Sequence, residues 1–555
     1  MTCVFVDDSA ARPQCPVSHA SALEALRQTL ASSGCELQHV AGVASDVISA
    51  VARAAGASRV YVSAEPEERV AAQLQAASAA LLATGLELRV CALPLWTDEP
   101  AGEVNYRQHA KLRGQLIPPT LGVPAGLTII AAANTGPTQS PSSSPSDPHR
   151  GVPDTEAGAI AALRAFCGLA DDASVRQAAD EQDAARPGTS FAVLFERAFH
   201  LGILSPRLIA ATANEALAAH LRGELRDVSA VRRARSALHA AERSAFHTAL
   251  ALQDRRRAAA SDDICDEAAI RQRWWRWRGV LVPYIHVPAA PGGSPASNAL
   301  LVHGFGAFGE HWRRQWGPLS SSGTTVWCPT LPGFGRSEKA ALPYSQEFWT
   351  RYLADFAEQV IAGGPVVVAG NSIGGFMSAN LACDYAHLVA GLVLLNSAGP
   401  IRDESEPSPA RGTPPALVVN TLTALLLAYL ERTVATTLRR CYPAQPDNAD
   451  SWLAREIERA SADDGAFSVF ASVFYLPPPR ALNALVNSFG KPTLILNGAL
   501  DPLNDASKRA RDLAARCNPR NVSMTLLQAG HCPHDEAPAD VNAALMEFIG
   551  KATAA

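Results

Sequence analysis

At roughly 150 residues per domain, a chain of 555 residues holds about three or four folded units. Apolar residues make up 48% and charged residues 18%, which excludes wholesale disorder. The net charge of −5 argues against a general nucleic-acid binder, so no nucleic-acid partner is expected. The 11 cysteines are odd in number and form no CxxC pairs, which speaks against zinc, iron–sulfur and disulfide frameworks. No metal and no cofactor is expected, and the cysteine usage fits an intracellular, reducing compartment. The most apolar run, Ala416 to Leu430, is about 15 residues, short of the about 20 that a spanning helix needs. The start, Met1-Thr2-Cys3-Val4-Phe5-Val6, has neither a basic signal-peptide opening nor a transit-peptide composition, so no targeting segment is expected there.

Residues 1–133 alternate strand-like and helical stretches. Strands are predicted at Cys3–Val6, Leu37–Val40, Arg59–Ser63 and Leu86–Val90, with helices near 20–32, 44–55 and 69–84, several closed by glycine (Gly34, Gly56, Gly85). This alternation predicts a small parallel α/β sheet of four strands. Residues 134–151 are Ser/Pro-rich and cannot bury a core, so a flexible linker is expected.

Residues 152–270 read as helical. Phe191, Leu194, Phe195, Ala198 and Phe199 recur at helical spacing ahead of Gly202, and Ser205-Pro206 is an N-cap serine followed by proline at the first helical position. Arginines at 232, 233, 235 and 255–257 are interleaved with acids and read as solvated helix faces.

From Trp274-Trp275-Arg276-Trp277 the rhythm changes. Strand candidates at 280–287, 298–302, 324–328, 365–369, 391–395, 492–496 and 522–527 define a second α/β unit over 274–555. The interval of about 400–485 is too long for an ordinary connection and predicts an inserted helical cap.

The strongest chemical signal is Gly370-Asn371-Ser372-Ile373-Gly374-Gly375, a GxSxG between an apolar strand and a helical run. Such a turn lifts the Ser372 hydroxyl above the sheet as a nucleophile. His303-Gly304-Phe305-Gly306, after the strand at 298–302, can supply Phe305 N–H to an oxyanion hole, with Ile373 N–H as the second donor. Asp501 follows the strand at 492–496 and His531 follows the strand at 522–527, giving the order Ser, Asp, His. His534 and Asp505 are the competing candidates. Leu394-Leu395-Asn396-Ser397, after the preceding strand, holds no carboxylate.

These segments, with Trp277-Arg278-Gly279, Pro332-Gly333-Phe334-Gly335-Arg336-Ser337 and Ala529-Gly530-His531-Cys532-Pro533-His534-Asp535-Glu536, make residues 274–555 resemble the α/β-hydrolase superfamily, and more narrowly its pheophytinase-like branch. The resemblance implies a carboxylic-ester hydrolase acting on a hydrophobic small-molecule ester, with Ser372 as nucleophile, His531 as base and Asp501 as acid. Pheophytin or another phytyl or acyl ester is a substrate it allows, and a chloroplast setting is left open. Leu425-Leu426-Leu427 and Tyr475-Leu476 in the cap are expected to line an apolar pocket.

Val60-Tyr61-Val62-Ser63-Ala64-Glu65-Pro66-Glu67, Ile117-Pro118-Pro119 and Leu204-Ser205-Pro206-Arg207 make the first part of the chain resemble the N-terminal α/β domain of DNA photolyases and cryptochromes, with the segment leading into their flavin-binding region. Two departures stand out: the first strand and helix of that domain are missing ahead of Cys3, and the large helical flavin domain is replaced by the hydrolase. Trp96 is the only tryptophan before Trp274, which leaves no tryptophan chain to feed a flavin. The rival reading is a photolyase-derived flavin-binding or scaffold protein whose hydrolase part is secondary.

Overall fold

The structure, a computed structural model, describes residues 3–7, 27, 37–41, 43–57, 59–63, 68–91, 152–153, 155–200, 203–241, 271–290, 297–403, 414–463 and 465–554. The chain divides into two compact units, 1–250 and 251–555. The predicted linker 134–151, the helix near 20–32 apart from Arg27, Gly34, Ile117-Pro118-Pro119, Trp96, Gly202 and the arginines at 255–257 lie outside the described residues.

In the first unit the four strands fall where the alternation put them: β1 (Cys3–Asp7), β2 (Leu37–Ala41), β3 (Arg59–Ser63) and β4 (Glu87–Cys91). They do not form one sheet. β1 pairs in parallel with β2, and β3 with β4, as two separate two-stranded sheets. Helix α2 (Glu68–Leu82) is the crossover between the parallel strands β3 and β4, and α1 (Ala44–Ala54) connects β2 to β3, which do not pair; which edges meet depends on contacts distant in sequence.

Beyond residue 152 the unit is helical, with α3 (Glu156–Phe166), α4 (Ala173–Ala185), α5 (Ser190–His200) and α6 (Pro206–Leu221). The apolar face of α5 is buried as its spacing requires. Phe191 and Phe195 stack at 5.0 Å between ring centroids, and Phe166 of α3 meets both edge-on. Ser205 Oγ accepts from Leu208 N–H at 3.1 Å and Pro206 opens α6, so the cap read from the sequence is formed. Arg232 and Arg235 are exposed, while Arg233 pairs with Asp183 at 2.8 Å.

The second unit is built on an eight-stranded sheet in the order β12-β11-β10-β9-β7-β8-β6-β5. Its strands are β5 (Gln272–Trp277), β6 (Val280–Val287), β7 (Ser297–Val302), β8 (Thr324–Pro329), β9 (Val366–Asn371), β10 (Val389–Leu395), β11 (Thr493–Gly498) and β12 (Val522–Leu527). β6 runs antiparallel to β5 and β8; the other pairs are parallel. The inner strands read as unbroken apolar runs because helices cover both faces, and β9 is buried along its whole length. The Trp-rich segment is the edge strand β5. It returns into β6 through Arg278 (φ 47°) and Gly279 (φ 87°), the two positive-φ residues of a type I′ hairpin. Trp277 Nε1–H donates to the buried Asp355 carboxylate at 2.8 Å, which fastens this edge to helix α7 (Gln346–Phe356).

Helix α8 (Ile373–Asp384) follows β9. Between β10 and the helix α12 (Leu482–Phe489) the chain inserts α9 (Ala416–Arg440), α10 (Ser451–Ser461) and α11 (Ala466–Ser472), which form the helical cap. Helix α13 (Ala506–Ala515) lies between β11 and β12, and α14 (Pro538–Ala554) closes the chain. Chain order in the sheet reverses between β7 and β9, so the loops leaving those two strands part and open a crevice at the sheet's C-terminal edge. No single described helix is long and apolar enough to cross a membrane.

The sheet and its covering helices share a buried core, and the cap packs on Phe308 and Cys532 in a second cluster, all within one run of sequence. A fragment spanning 272–555 is therefore expected to be soluble and to unfold in one cooperative transition on heating. Aggregation of that fragment under conditions where the full chain stays soluble would show that earlier residues complete its core.

Candidate active site

Ser372 sits between β9 and α8 with φ 56° and ψ −121°, a conformation that side-chain-bearing residues hold only when their surroundings impose it. The imposition is visible on both sides. A Cβ on Gly370 would lie 2.4 Å from the Gly374 carbonyl carbon and oxygen, and one on Gly374 would lie 2.3 Å from His303 O. The turn is also pinned to the end of β10, where Ser372 N–H donates to Leu395 O at 3.0 Å and Ala398 N–H donates to Ser372 O at 2.8 Å. The strained turn predicted from GxSxG is thus present, with Ser372 partly exposed at its apex.

The loop after β7 passes directly beside this turn. A Cβ on Gly304 would stand 3.3 Å from Ser372 Cβ and 3.1 Å from Asn371 Oδ1. Ile373 N–H lies in the first turn of α8, where no preceding turn supplies an acceptor, and none of the described backbone hydrogen bonds uses Phe305 N–H. Ile373 thus follows the serine directly, and Phe305 follows the glycine that lies beside it. His303 is the loop's anchor. Its Nε2 accepts from Leu331 N–H at 2.9 Å, which assigns the proton to Nδ1, 2.8 Å from Gly304 O. Burial pushes this imidazole down to about 3, so it stays neutral.

Asp501 lies just past β11, its side chain wholly buried, and its Oδ2 is 2.7 Å from His531 Nδ1. Its Oδ1 accepts from Leu503 N–H at 2.8 Å. Burial raises the carboxyl's pKa and is the largest single influence. The His531 hydrogen bond and charge, with Leu503 N–H and Asn396, outweigh it, and the group is held below its ordinary value.

Asn396 is the residue that sequence reasoning missed. It stands at the end of β10, buried, in the left-handed region (φ 42°). Its Nδ2 donates to Asp501 Oδ2 at 2.9 Å and to Gly498 O at 3.1 Å, while its Oδ1 accepts from Gly498 N–H at 2.7 Å. Asn396 therefore fixes the same carboxylate oxygen that His531 uses. The sequence offered only its position after a core strand, a place noted for lacking a carboxylate.

His531 is held through its backbone from two directions. Its N–H donates to Cys441 O at the end of α9 (3.0 Å), and its C=O accepts from Asn371 Nδ2 (2.8 Å), next to the serine. Glu536 accepts from Ala444 N–H (2.6 Å), Gln445 N–H (3.0 Å) and Gly530 N–H, tying the cap's exit to the histidine loop. No hydrogen bond joins Ser372 Oγ to the His531 ring.

The two competing candidates do other work. His534 is completely buried with its ring 4.2 Å from that of Trp312, and burial holds it well below its ordinary value. Asp505 is exposed and caps α13 by accepting from Lys508 N–H at 2.9 Å. Among the described residues no group of three or more His, Cys, Asp or Glu side chains is arranged to hold a metal ion. Two expected pocket residues are corrected: Leu425 and Leu426 are 63% and 38% exposed, because α9 turns its other side to α10 and α11.

Residues 299–544 match the model of the alpha/beta hydrolase family. A 2-hydroxy-6-oxo-6-(2'-aminophenyl)hexa-2,4-dienoic acid hydrolase of Metapseudomonas resinovorans is 32% identical over 136 residues, covering 24% of this chain and 44% of that protein. The chloroplastic pheophytinase of Arabidopsis thaliana is 29% identical over 239 residues, covering 39% of this chain and 48% of that protein. The chain thus spans less than half the length of either relative. Among solved structures, a thermophilic esterase from Thermogutta terrifontis is similar at 20% identity with a TM-score of 0.40, over 49% of this chain and 94% of that one. A probable hydrolytic enzyme from Pseudomonas aeruginosa PAO1 is similar at 21% identity with a TM-score of 0.42, over 50% and 93%. Family match and sheet topology agree on an α/β-hydrolase fold for the second unit, and the relatives support an enzyme.

Removing the Asn396 amide deletes a buried hydrogen bond to a charged group, worth about 1.5–3 kcal/mol. Asn396→Ala is expected to lower kcat/KM for an ester roughly ten- to hundredfold. The loss should fall on kcat, because Asn396 touches Asp501 and not the substrate. Steady-state kinetics check this, and an unchanged kcat would remove Asn396 from the site.

Proposed function

We propose, from the alpha/beta hydrolase match over residues 299–544, that this chain is a serine hydrolase cleaving a carboxylic ester of a hydrophobic molecule. The single observation that carries the reading is the strained Ser372 elbow facing the same sheet edge as the 2.7 Å His531–Asp501 pair. Ser372 Oγ attacks the ester carbonyl as His531 Nε2 takes its proton. Asp501 holds the Nδ1–H tautomer and supports the imidazolium that results. The Phe305 and Ile373 N–H groups receive the developing oxyanion, at about 3–4 kcal/mol per donor. His531 returns the proton to the leaving alcohol, then draws one from water, whose attack on the acyl-serine releases the acid.

The preference for a hydrophobic ester has physical support in the aromatic side chains around the proposed oxyanion loop. Phe305, 39% exposed, meets Phe334 at 5.3 Å and Phe470 of the cap helix α11 at 5.0 Å, both edge-on. These rings give an acyl chain or a flat apolar group a surface that water solvates poorly. Phytyl and long-chain acyl esters fit this reading, and the resemblance to the pheophytinase branch is its second support. The photolyase-like reading of the first unit, with the flavin-binding or scaffold role it implies, rests on sequence resemblance, part of which falls outside the described residues.

Ser372→Ala should abolish turnover of p-nitrophenyl esters, a loss on the order of 10⁶ in kcat, with melting temperature unchanged. Asp501→Asn should cost about 10⁴ by presenting the wrong imidazole tautomer. If Asp505→Asn proves damaging and Asp501→Asn mild, the acid is reassigned. Comparing esters of graded chain length beside pheophytin identifies the substrate class, and a preference for acetyl over long acyl chains would overturn the hydrophobic-ester reading.

A further inference from the structure

Helix α9 is oriented against the usual logic of a soluble helix. Its residues 416–430 contain no Asp, Glu, Lys or Arg. The face packed on α10 and α11 carries Val419, Thr423 and Val434, all buried, and Thr423 Oγ1 has no hydrogen-bond partner. The opposite face presents Leu417, Val418, Leu422, Leu425, Leu426 and Tyr429, each between 38% and 79% exposed. A threonine is buried without a partner while leucines stand outside. For a helix facing water this is the wrong way round.

Hydrogen-bonding demand on the exposed side is confined to the Asn420 amide at its flank and the Tyr429 hydroxyl. Thr421 lies within it, but its hydroxyl donates to Leu417 O one turn back (2.8 Å), and Thr433 does the same to Tyr429 O (2.8 Å). The Tyr429 hydroxyl is the polar tip that an amphipathic ring carries at a water–apolar boundary. At Glu431 the axis bends by 74°, and the last turns carry the exposed Arg432, Arg439 and Arg440. An uncharged, largely apolar face ending in exposed cations is complementary to a lipid surface: hydrocarbon beneath the face, anionic headgroups beside the arginines.

We propose that α9 seats the hydrolase unit on the surface of an anionic lipid bilayer, its 417–429 face entering the headgroup–acyl boundary without spanning it. The placement connects to the site, because α9 ends at Cys441, whose carbonyl accepts the His531 N–H. A cap resting on lipid would put the proposed catalytic residues next to the phase that holds a hydrophobic ester. The docking itself goes beyond the proposed hydrolytic reaction and does not depend on it.

The test is co-sedimentation of the full chain with vesicles of phosphatidylcholine alone or mixed with phosphatidylglycerol. Binding to the mixed vesicles, weakened by salt, is expected. The triple substitution Leu422→Ser, Leu425→Ser and Tyr429→Ser should lower it at least roughly tenfold, and Arg439→Gln with Arg440→Gln roughly tenfold or more on the anionic vesicles. Melting temperature should stay unchanged in both variants, since every altered side chain is exposed. Ser372→Ala should bind as the wild type does, which separates docking from chemistry. Three outcomes would overturn the proposal: wild-type protein left in the supernatant, binding indifferent to the triple substitution, or a concentration-dependent dimer that the triple substitution dissolves while vesicles bind nothing.

Discussion

Everything at the candidate site depends on one close approach, that of the first turn of α8 to the end of β7. Gly374 lies against the carbonyls of Val302 and His303 so closely that a Cβ would stand 2.5 and 2.3 Å from their oxygens. That contact sets the distance between the serine's turn and the loop carrying Phe305. It also forces Ser372 into its positive-φ conformation, since β9 must turn into α8 with no room to relax. The energy stored there, of order 1–3 kcal/mol, is held by the surrounding sheet. The neutral His303 ring, bonded to Leu331 N–H and placed beside Gly304 O, keeps the facing loop from drifting.

The proposed acid and the proposed base are fixed by different elements. Asp501 is positioned within the sheet, by Asn396 from the neighbouring strand end and by Leu503 N–H. His531 is positioned partly by the cap. Cys441 O takes its N–H, Glu536 binds both Gly530 and the cap's exit at Ala444 and Gln445, and Gly530 has no space for a side chain beside Pro443. The cap is thus joined to the histidine loop through main-chain bonds. A force applied to the cap, by substrate or by a surface it rests on, reaches the proposed base through a few hydrogen bonds.

Asp535 extends this connection. Its carboxylate accepts from Arg314 Nε (2.8 Å), Arg313 (3.3 Å) and the Tyr442 hydroxyl (2.9 Å), while Arg313 also reaches Asp450 at the start of α10 (3.0 Å). A buried carboxylate is tolerable only with such a set of partners. Together they join the segment after β7, the cap and the histidine loop.

The sequence by itself determined what local chemistry and periodicity can carry. The strands of the second unit were legible as apolar runs because both sheet faces are covered. Ser372 was legible because a strand-to-helix turn this tight demands glycines at fixed offsets. Asp501 and His531 were legible because each follows a core strand, in the order the turn requires. The tertiary structure alone decided the rest. Asn396 acts on Asp501 and Gly498, and Glu536 on Ala444 and Gln445, groups brought near them only by the folded sheet and cap, and no spacing rule marks them. In the first unit the strand positions were correct, but their division into two pairs depends on edge contacts that local sequence does not encode. Leu425 and Leu426 fit a pocket lining in the sequence because an apolar run shows that a helix wants cover, while only packing decides which of its faces is covered and by what.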